Sequence, residues 1–384
     1  MSEVARVPQL RFPEFSNEWE KNKLGNLAVI KSGISPSKYE LKTTGSLPFL
    51  KVEDLNNCRK YQFNSRVYSE SLKNSINKNS VIFPKRGAAI RLNKVRINKV
   101  AALMDSNLMA LLPNTELLNT EFLYYKIMLD GLYKIADTST IPQINNKHIL
   151  PYKLNLPILP EQQKIAAFLT AVDNKIEQLS KKQELLGEYK KGLMQQIFSQ
   201  AIRFKADDGS EFPDWEEKKL GGVGRIRKGS QLNKSELTDT GDYPAINGGI
   251  NPSGYTDKWN TGKNTITISE GGNSCGYINF ITSKFWSGGH CYSIEELKGD
   301  VLNRFLFQYL KFNEHLIMRL RVGSGLPNIQ KGEINNFKVN LPSLEEQTKI
   351  ANLLSSIDSK IEQVGKQLRE SKQFKKALLQ QMFV

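Results

Sequence analysis

The chain has 384 residues and a mass of 43.5 kDa, room for roughly two or three domains with cores of their own. Its 54 Lys and Arg against 39 Asp and Glu give a net charge of +15 and a pI near 9.5, which favours a polyanionic partner over a neutral small substrate. The apolar fraction of 39% argues against both a membrane protein and a disordered chain, no apolar run approaches the roughly 18 residues of a spanning helix, and residues 1–17 lack a signal-peptide layout. The expectation is a cytoplasmic protein whose scattered Cys58, Cys275 and Cys291 are reduced, packing thiols, with no metal site.

In chain order, residues 1–155 read as a mixed domain and carry most of the excess charge, net +10. Ser80 to Phe83, Val95 to Leu103 and Leu108 to Leu112 are strand-like, and Glu121 to Leu132 is helix-like with core aromatics. Between Glu70 and Asp105 lie eight cations and no acid: Lys73, Lys78, Lys85, Arg86, Arg91, Lys94, Arg96 and Lys99. Such a stretch is either a solvated basic surface or a face that tracks phosphates. Residues 156–199 then show alternating four- and three-residue apolar spacing: Ile165, Leu169, Val172, Ile176, Leu179, Leu186, Leu193, Ile197. This heptad stripe predicts a helix about 40 residues and roughly 60 Å long that packs against another of its kind. Pro157 and Pro160 stand where it begins.

Residues 200–340 form a second mixed segment, rich in Gly and Asn, with strand-like runs at Thr265 to Ser269 and Tyr277 to Ile281 and a helix at Asn303 to Phe312. Asp214 to Lys218 reads as a surface turn, since its acids lie too close together along one stretch to hold a catalytic metal. Residues 341–384 repeat the stripe as Ile350, Leu354, Ile357, Ile361, Val364, Leu368, Leu378 and Met382, behind Pro342. Two matching stripes in one chain most simply bury each other as an intramolecular coiled coil.

The chain repeats itself. Leu156-Pro157, Leu159, Glu161-Gln162, Lys164-Ile165-Ala166 return as Leu341-Pro342, Leu344, Glu346-Gln347, Lys349-Ile350-Ala351, at an offset of 185. Trp19-Glu20, Leu24-Gly25 and Gly33 return as Trp215-Glu216, Leu220-Gly221 and Gly229, at an offset of 196. The molecule is a tandem duplication of a unit of about 190 residues. It contains no Walker A sequence, no dinucleotide fingerprint and no Asn/Asp-Pro-Pro-Tyr/Phe segment, so it reads as a binder and not an enzyme.

Two globular regions, each opened by Trp-Glu…Leu-Gly and a later Lys-Ser-Gly or Arg-Lys-Gly, and each closed by Leu-Pro…Glu-Gln…Ile and a long helix, resemble the specificity subunit of a type I restriction-modification system over essentially the whole chain. The resemblance implies an α+β protein: two mixed α/β target recognition domains (1–155 and 200–340), related by internal duplication and joined by two long spacer helices (156–199 and 341–384) in an antiparallel intramolecular coiled coil. It implies that each domain reads one half of a split double-stranded DNA target. The implied partners are two methyltransferase subunits, met by Glu161, Gln162, Ile165, Glu346, Gln347 and Ile350, and two restriction or motor subunits. S-adenosylmethionine, ATP and Mg belong to those partners, with no cofactor in this chain.

Direct readout uses Arg, Lys, Asn and Gln on loops, with further cations on phosphates. The DNA-binding candidates are Lys31, Ser32, Gly33, Lys85, Arg86, Arg91, Lys94, Arg96 and Gln143 in the first domain, and Arg227, Lys228, Gln231, Asn247, Asn273, Ser274 and Asn328 in the second. Gln143 and Asn328 occupy equivalent places, each behind a proline. A coiled-coil scaffold with two protein-binding domains is the alternative that composition leaves open, and a steep salt dependence of DNA affinity separates the two.

Overall fold

The structure, a computed structural model, describes residues 7–137, 141–323 and 325–384. Its two longest helices, Leu159–Phe198 and Leu344–Gln381, arise at the two copies of the repeated motif. The chain folds into two compact units, Met1–Ser180 with Lys366–Val384, and Lys181–Gly365, so each long helix lends a segment to both.

In the first unit a five-stranded sheet runs in the order Ala28–Ser32, Leu108–Pro113, Val81–Pro84, Arg96–Asn98, Tyr61–Gln62. Val81–Pro84 is buried along its whole length, as a strand covered on both faces must be, and its proline falls at the end where the ladder stops. A smaller sheet orders Tyr68–Ser69, Leu47–Leu50 and Leu103–Met104, and a two-stranded ribbon pairs Glu20–Lys23 with Lys153–Leu156. The apolar run from Val95 to Leu103, expected as one strand, is two. Asn98 interrupts it by accepting from Ser80 N (2.7 Å) and donating to the carbonyls of Asn77 and Val100 (2.9 and 2.8 Å).

Helix Thr120–Asp130 starts under the Asn119 cap, which accepts from Phe122 N at 3.0 Å. It lays Phe122 against Trp19, with ring centroids 5.8 Å apart, and Phe383 from beyond the second long helix closes on both rings. Trp19 also contacts Glu161, while Lys375 pairs with Asp173 at 2.5 Å, so the two helix segments of this unit run antiparallel.

The second unit repeats the scheme. Its main sheet orders Arg225–Lys228, Cys291–Glu295, Thr265–Ser269, Ile278–Ile281; its small sheet orders Tyr255–Thr256, Tyr243–Ile246, Trp286–Ser287; its ribbon pairs Glu216–Lys219 with Lys338–Leu341. The segment expected as a surface turn, Asp214 to Lys218, is instead the entry to that ribbon, with Trp215 packed on Phe198 and Phe305. Helix Asn303–Phe312 takes the role of Thr120–Asp130. Phe198 meets Trp215, which hydrogen-bonds Glu346, and Lys190 pairs with Asp358 at 2.6 Å, so here too the helix segments are antiparallel.

The stripe residues account for this pairing. Ile165, Leu169, Ile176, Leu179 and Ile197 of the first helix, and Ile350, Leu354, Ile357, Val364, Leu368, Leu378 and Met382 of the second, are buried. Each removes most of its apolar surface from water, worth about 1.5–3 kcal/mol apiece before the entropy of ordering is counted. No helix among the described residues is long and apolar enough to cross a membrane.

Candidate nucleic-acid interface

In the first unit, three strand ends open on one rim of the main sheet. Ser32 lies opposite Met109 and Pro84 opposite Leu108, which brings Lys31-Ser32-Gly33 beside Lys85-Arg86. Gly33 is required there, because a Cβ would stand 2.0 Å from the Asp105 carbonyl oxygen. Arg86 and Gln143 face each other across a short bridge, with Gly87 N donating to Pro142 O and Ile144 N to Lys85 O, both at 2.9 Å. Gly87 makes the turn at φ +74°, a conformation that favours glycine.

Arg86 is exposed and carries no ion pair among the described residues; Lys85 is half-buried, and burial, with the neighbouring Arg86, pushes its amine below the usual lysine range. Arg91 is exposed beside a cleft of about 500 Å³ that Tyr133, Lys134 and Pro142 also line. Lys31 donates to the Ser75 carbonyl at 3.0 Å.

Two first-domain candidates are committed elsewhere. Lys94 donates to Asn56, and the Arg96 guanidinium is spent on the carbonyls of Leu55, Cys58 and Val95 at 2.7–2.9 Å. Arg96 therefore fastens the loop at residues 55–58.

The second unit builds the corresponding rim from the same strand ends. Lys228 lies opposite Tyr292 and Ser269 opposite Cys291, and Gly229 takes the place of Gly33, its absent Cβ 2.2 Å from Gly288 O. Gly271 bridges to Asn328, with Gly272 N donating to Pro327 O and Ile329 N to Glu270 O; Gly272 turns at φ +73°. Asn247 Oδ1 accepts from His290 N at 3.2 Å, and Ser274 donates to Gly248 O at 2.6 Å. Gln231, Asn273 and Asn328 are exposed.

Arg227 points to the opposite face from Lys228, as successive strand residues must, and its guanidinium is engaged by Glu295, the Asn260 carbonyl and Thr261. Cys275 and Cys291 are buried, and burial holds the Cys291 thiol up at about 11, so they pack rather than react.

The six residues expected to meet partner subunits lie inside the structure. Glu161, Gln162, Ile165, Glu346, Gln347 and Ile350 are all 2% exposed or less. Glu161 takes two hydrogen bonds from Arg11, each 2.7 Å, and one from Trp19 Nε1; Glu346 takes the same set from Arg203 and Trp215. Gln162 accepts from Asn119 N and donates to the carbonyls of Leu117 and Pro157, as Gln347 does with Leu302 N and the carbonyls of Asp300 and Pro342. The repeated Glu-Gln is the joint that fixes each helix to its own domain.

Glu270, His290 and Tyr292, none of them among the sequence candidates for DNA contact, form one hydrogen-bonded cluster on the second rim. The signal was present: the offset of 185 carries Lys85-Arg86-Gly87 onto Glu270-Gly271-Gly272.

Fold and rims together define a duplicated recognition protein, with two similar polar edges carrying different side chains. The type I restriction modification DNA specificity domain matches residues 16–186 and again 213–370. The MjaVIII type I restriction enzyme specificity subunit of Methanocaldococcus jannaschii is 26% identical over 96% of this chain and 92% of its own. The crystal structure of the type I restriction-modification S subunit from M. genitalium superposes with a TM-score of 0.72 at 20% identity, covering 98% of this chain and 99% of the other. A chain from a structure on complex assembly and conformational transition of the type I R-M system gives 0.56 at 16% identity, covering 94% and 96%. The chain belongs to the type I restriction-modification specificity subunits, the non-catalytic DNA-recognition subunits of these systems.

Proposed function

We propose that this chain reads a bipartite, asymmetric DNA target, one half-site per unit, with the gap set by the two long helices, and that it docks methyltransferase subunits. The observation that carries the reading is the pair of equivalent rims: the same strand ends and the same bridged loop, at 86/143 and 271/328, present different side chains. Two surfaces of common ancestry and different chemistry suit two unlike half-sites better than a palindrome.

With the repeated Glu-Gln turned inward, docking of two methyltransferase subunits falls to the outward faces of the long helices. S-adenosylmethionine would be bound by those partners, and ATP and Mg by two restriction subunits, all in the cytoplasm. The test is a chimera in which residues 20–155 are replaced by the matching region of a relative, scored by genome-wide mapping of methylated adenines. One half-site changes and the other stays; a simultaneous change in both would refute independent reading.

A further inference from the structure

The loop that carries Lys85 and Arg86 in the first unit carries Glu270 and Gly271 in the second, on the same backbone turn. A carboxylate facing a polyanion is repelled unless it is turned inward and neutralised, and Glu270 is both. Its side chain is 8% exposed. Oε1 accepts from Lys228 Nζ at 2.5 Å and from the Tyr292 hydroxyl at 2.9 Å, and Oε2 lies 3.3 Å from His290 Nδ1. The main chain is fixed as well, Glu270 N donating to His290 O and Glu270 O accepting from Ile329 N. Burial opposes the charge, but the hydrogen bonds from Lys228, Tyr292 and His290 outweigh it and hold the carboxyl below its ordinary range.

An ionised carboxylate can only accept, so the proton on the shared line belongs to His290 Nδ1. That orients the ring and leaves Nε2 pointing away from Glu270. The side chains of His290 and Lys228 are 64% and 51% exposed, so both outer ends reach solvent at the rim. Beside the imidazole, Asn247 Oδ1 accepts from the His290 main chain and Gln231 stands against Gly289.

Resting on the reading that the second unit contacts DNA, we infer that Glu270 is a positioning residue for Lys228 and His290, which present an ammonium and an imidazole Nε2 together to one hydrogen-bond acceptor on the duplex, a guanine edge or a phosphate oxygen. Protonated, Nε2 donates and the cluster gains a positive charge; neutral, it offers only a lone pair to the acceptor's own.

The test uses the chain in complex with its methyltransferase partner, as wild type, Glu270→Gln and His290→Ala. Methylated adenines are mapped in cells, and affinity is measured for a fluorescent duplex carrying the wild-type motif and for a scrambled duplex. His290 is exposed, so His290→Ala keeps the fold, which an unchanged thermal melt verifies. Both variants should lose roughly tenfold in affinity for the wild-type duplex. A guanine contact relaxes the motif at the same base pair in both variants; a phosphate contact weakens both duplexes equally and leaves the motif intact. Either result supports the pair. Wild-type affinity and motif in both variants overturn it, and so does a change in Glu270→Gln that His290→Ala fails to reproduce. A wild-type complex that neither binds nor methylates would overturn the DNA-reading function itself, before any variant is compared.

Discussion

The two units differ at their rims and agree beneath them. On the first rim, the loop at Lys85 and Arg86 is cationic; on the second, the equivalent loop holds a carboxylate folded back onto Lys228, His290 and Tyr292. Beneath them, Arg11–Glu161–Trp19 matches Arg203–Glu346–Trp215 bond for bond, and Asp173–Lys375 matches Asp358–Lys190. The asymmetry has an energetic origin. A buried carboxylate that loses its partner strands a charge, at a cost of several kcal/mol, whereas an exposed residue at a strand end changes stability little. The shared joints are thus the positions where change costs most stability, and the differing strand ends those where it costs least.

The largest test removes what both units share. Deleting one heptad from each long helix, Lys181 to Gly187 and Lys366 to Lys372, keeps the seam in register and shortens each by seven residues, about 10 Å. That corresponds to roughly three base pairs and about 100° of duplex rotation. Methylation mapping should show a shorter gap between unchanged half-sites, or lost methylation with binding through one unit retained; full methylation at the original gap removes the helices as spacer.

Next come the joints. Glu161→Ala and Glu346→Ala each leave a largely buried arginine without its partner, and each should cost about 3–5 kcal/mol in denaturant unfolding. Markedly unequal costs would show that the two joints are not energetically equivalent.

At the rims the effects are smaller and local. Arg86→Ala should weaken DNA binding by about 1–3 kcal/mol at one position of the first half-site if the contact is to a base, or evenly across sequences if to a phosphate. The second half-site stays as it was in either case, which mapping of the variant checks.

Acid stability sharpens the same contrast. In the second unit Glu270 and Glu295 are held below the ordinary carboxylate range: burial opposes, and hydrogen bonds from Lys228 and Tyr292, or from Arg227 and Ser293, prevail. Because the folded values are depressed, this stabilisation is complete above the unfolded carboxylate range near pH 4.5 and fades as pH falls below it. The double variant Glu270→Gln, Glu295→Gln should therefore show a shallower decline in melting temperature between about pH 5 and pH 3 than wild type. The smallest effect belongs to the helix pairs: Asp173→Asn and Asp358→Asn should cost about 1 kcal/mol or less, Asp358 least because it is the more exposed.

How much of this was legible in sequence depended on the kind of signal. Periodicity located the long helices, since stripe residues such as Leu169 and Leu354 recur on one buried face. Strands of alternating β-branched residues, such as Thr265–Ser269, were readable for the same reason. Polar residues were not, because their type does not reveal which way they face. Glu161 looks like surface until Arg11, 150 positions earlier, is seen to hold it, and Arg96 in an acid-free basic run is consumed by backbone carbonyls. Lys228 and Arg227 are adjacent and similar in type, yet strand alternation sends one to the rim and the other to Glu295.

Phe383, seated between Trp19 and Phe122, bears on how the molecule is made. During synthesis the first unit emerges first but lacks part of its core until residues 366–384 follow, roughly 10–40 s later at about 5–20 residues per second. The second unit, continuous from Lys181 to Gly365, needs no such wait. Order of translation and order of completion are thus inverted: the domain begun first is finished last, and Trp19, Phe122 and Leu169 stay partly uncovered in the nascent chain, where a chaperone or a protease finds them before the last turn of helix does.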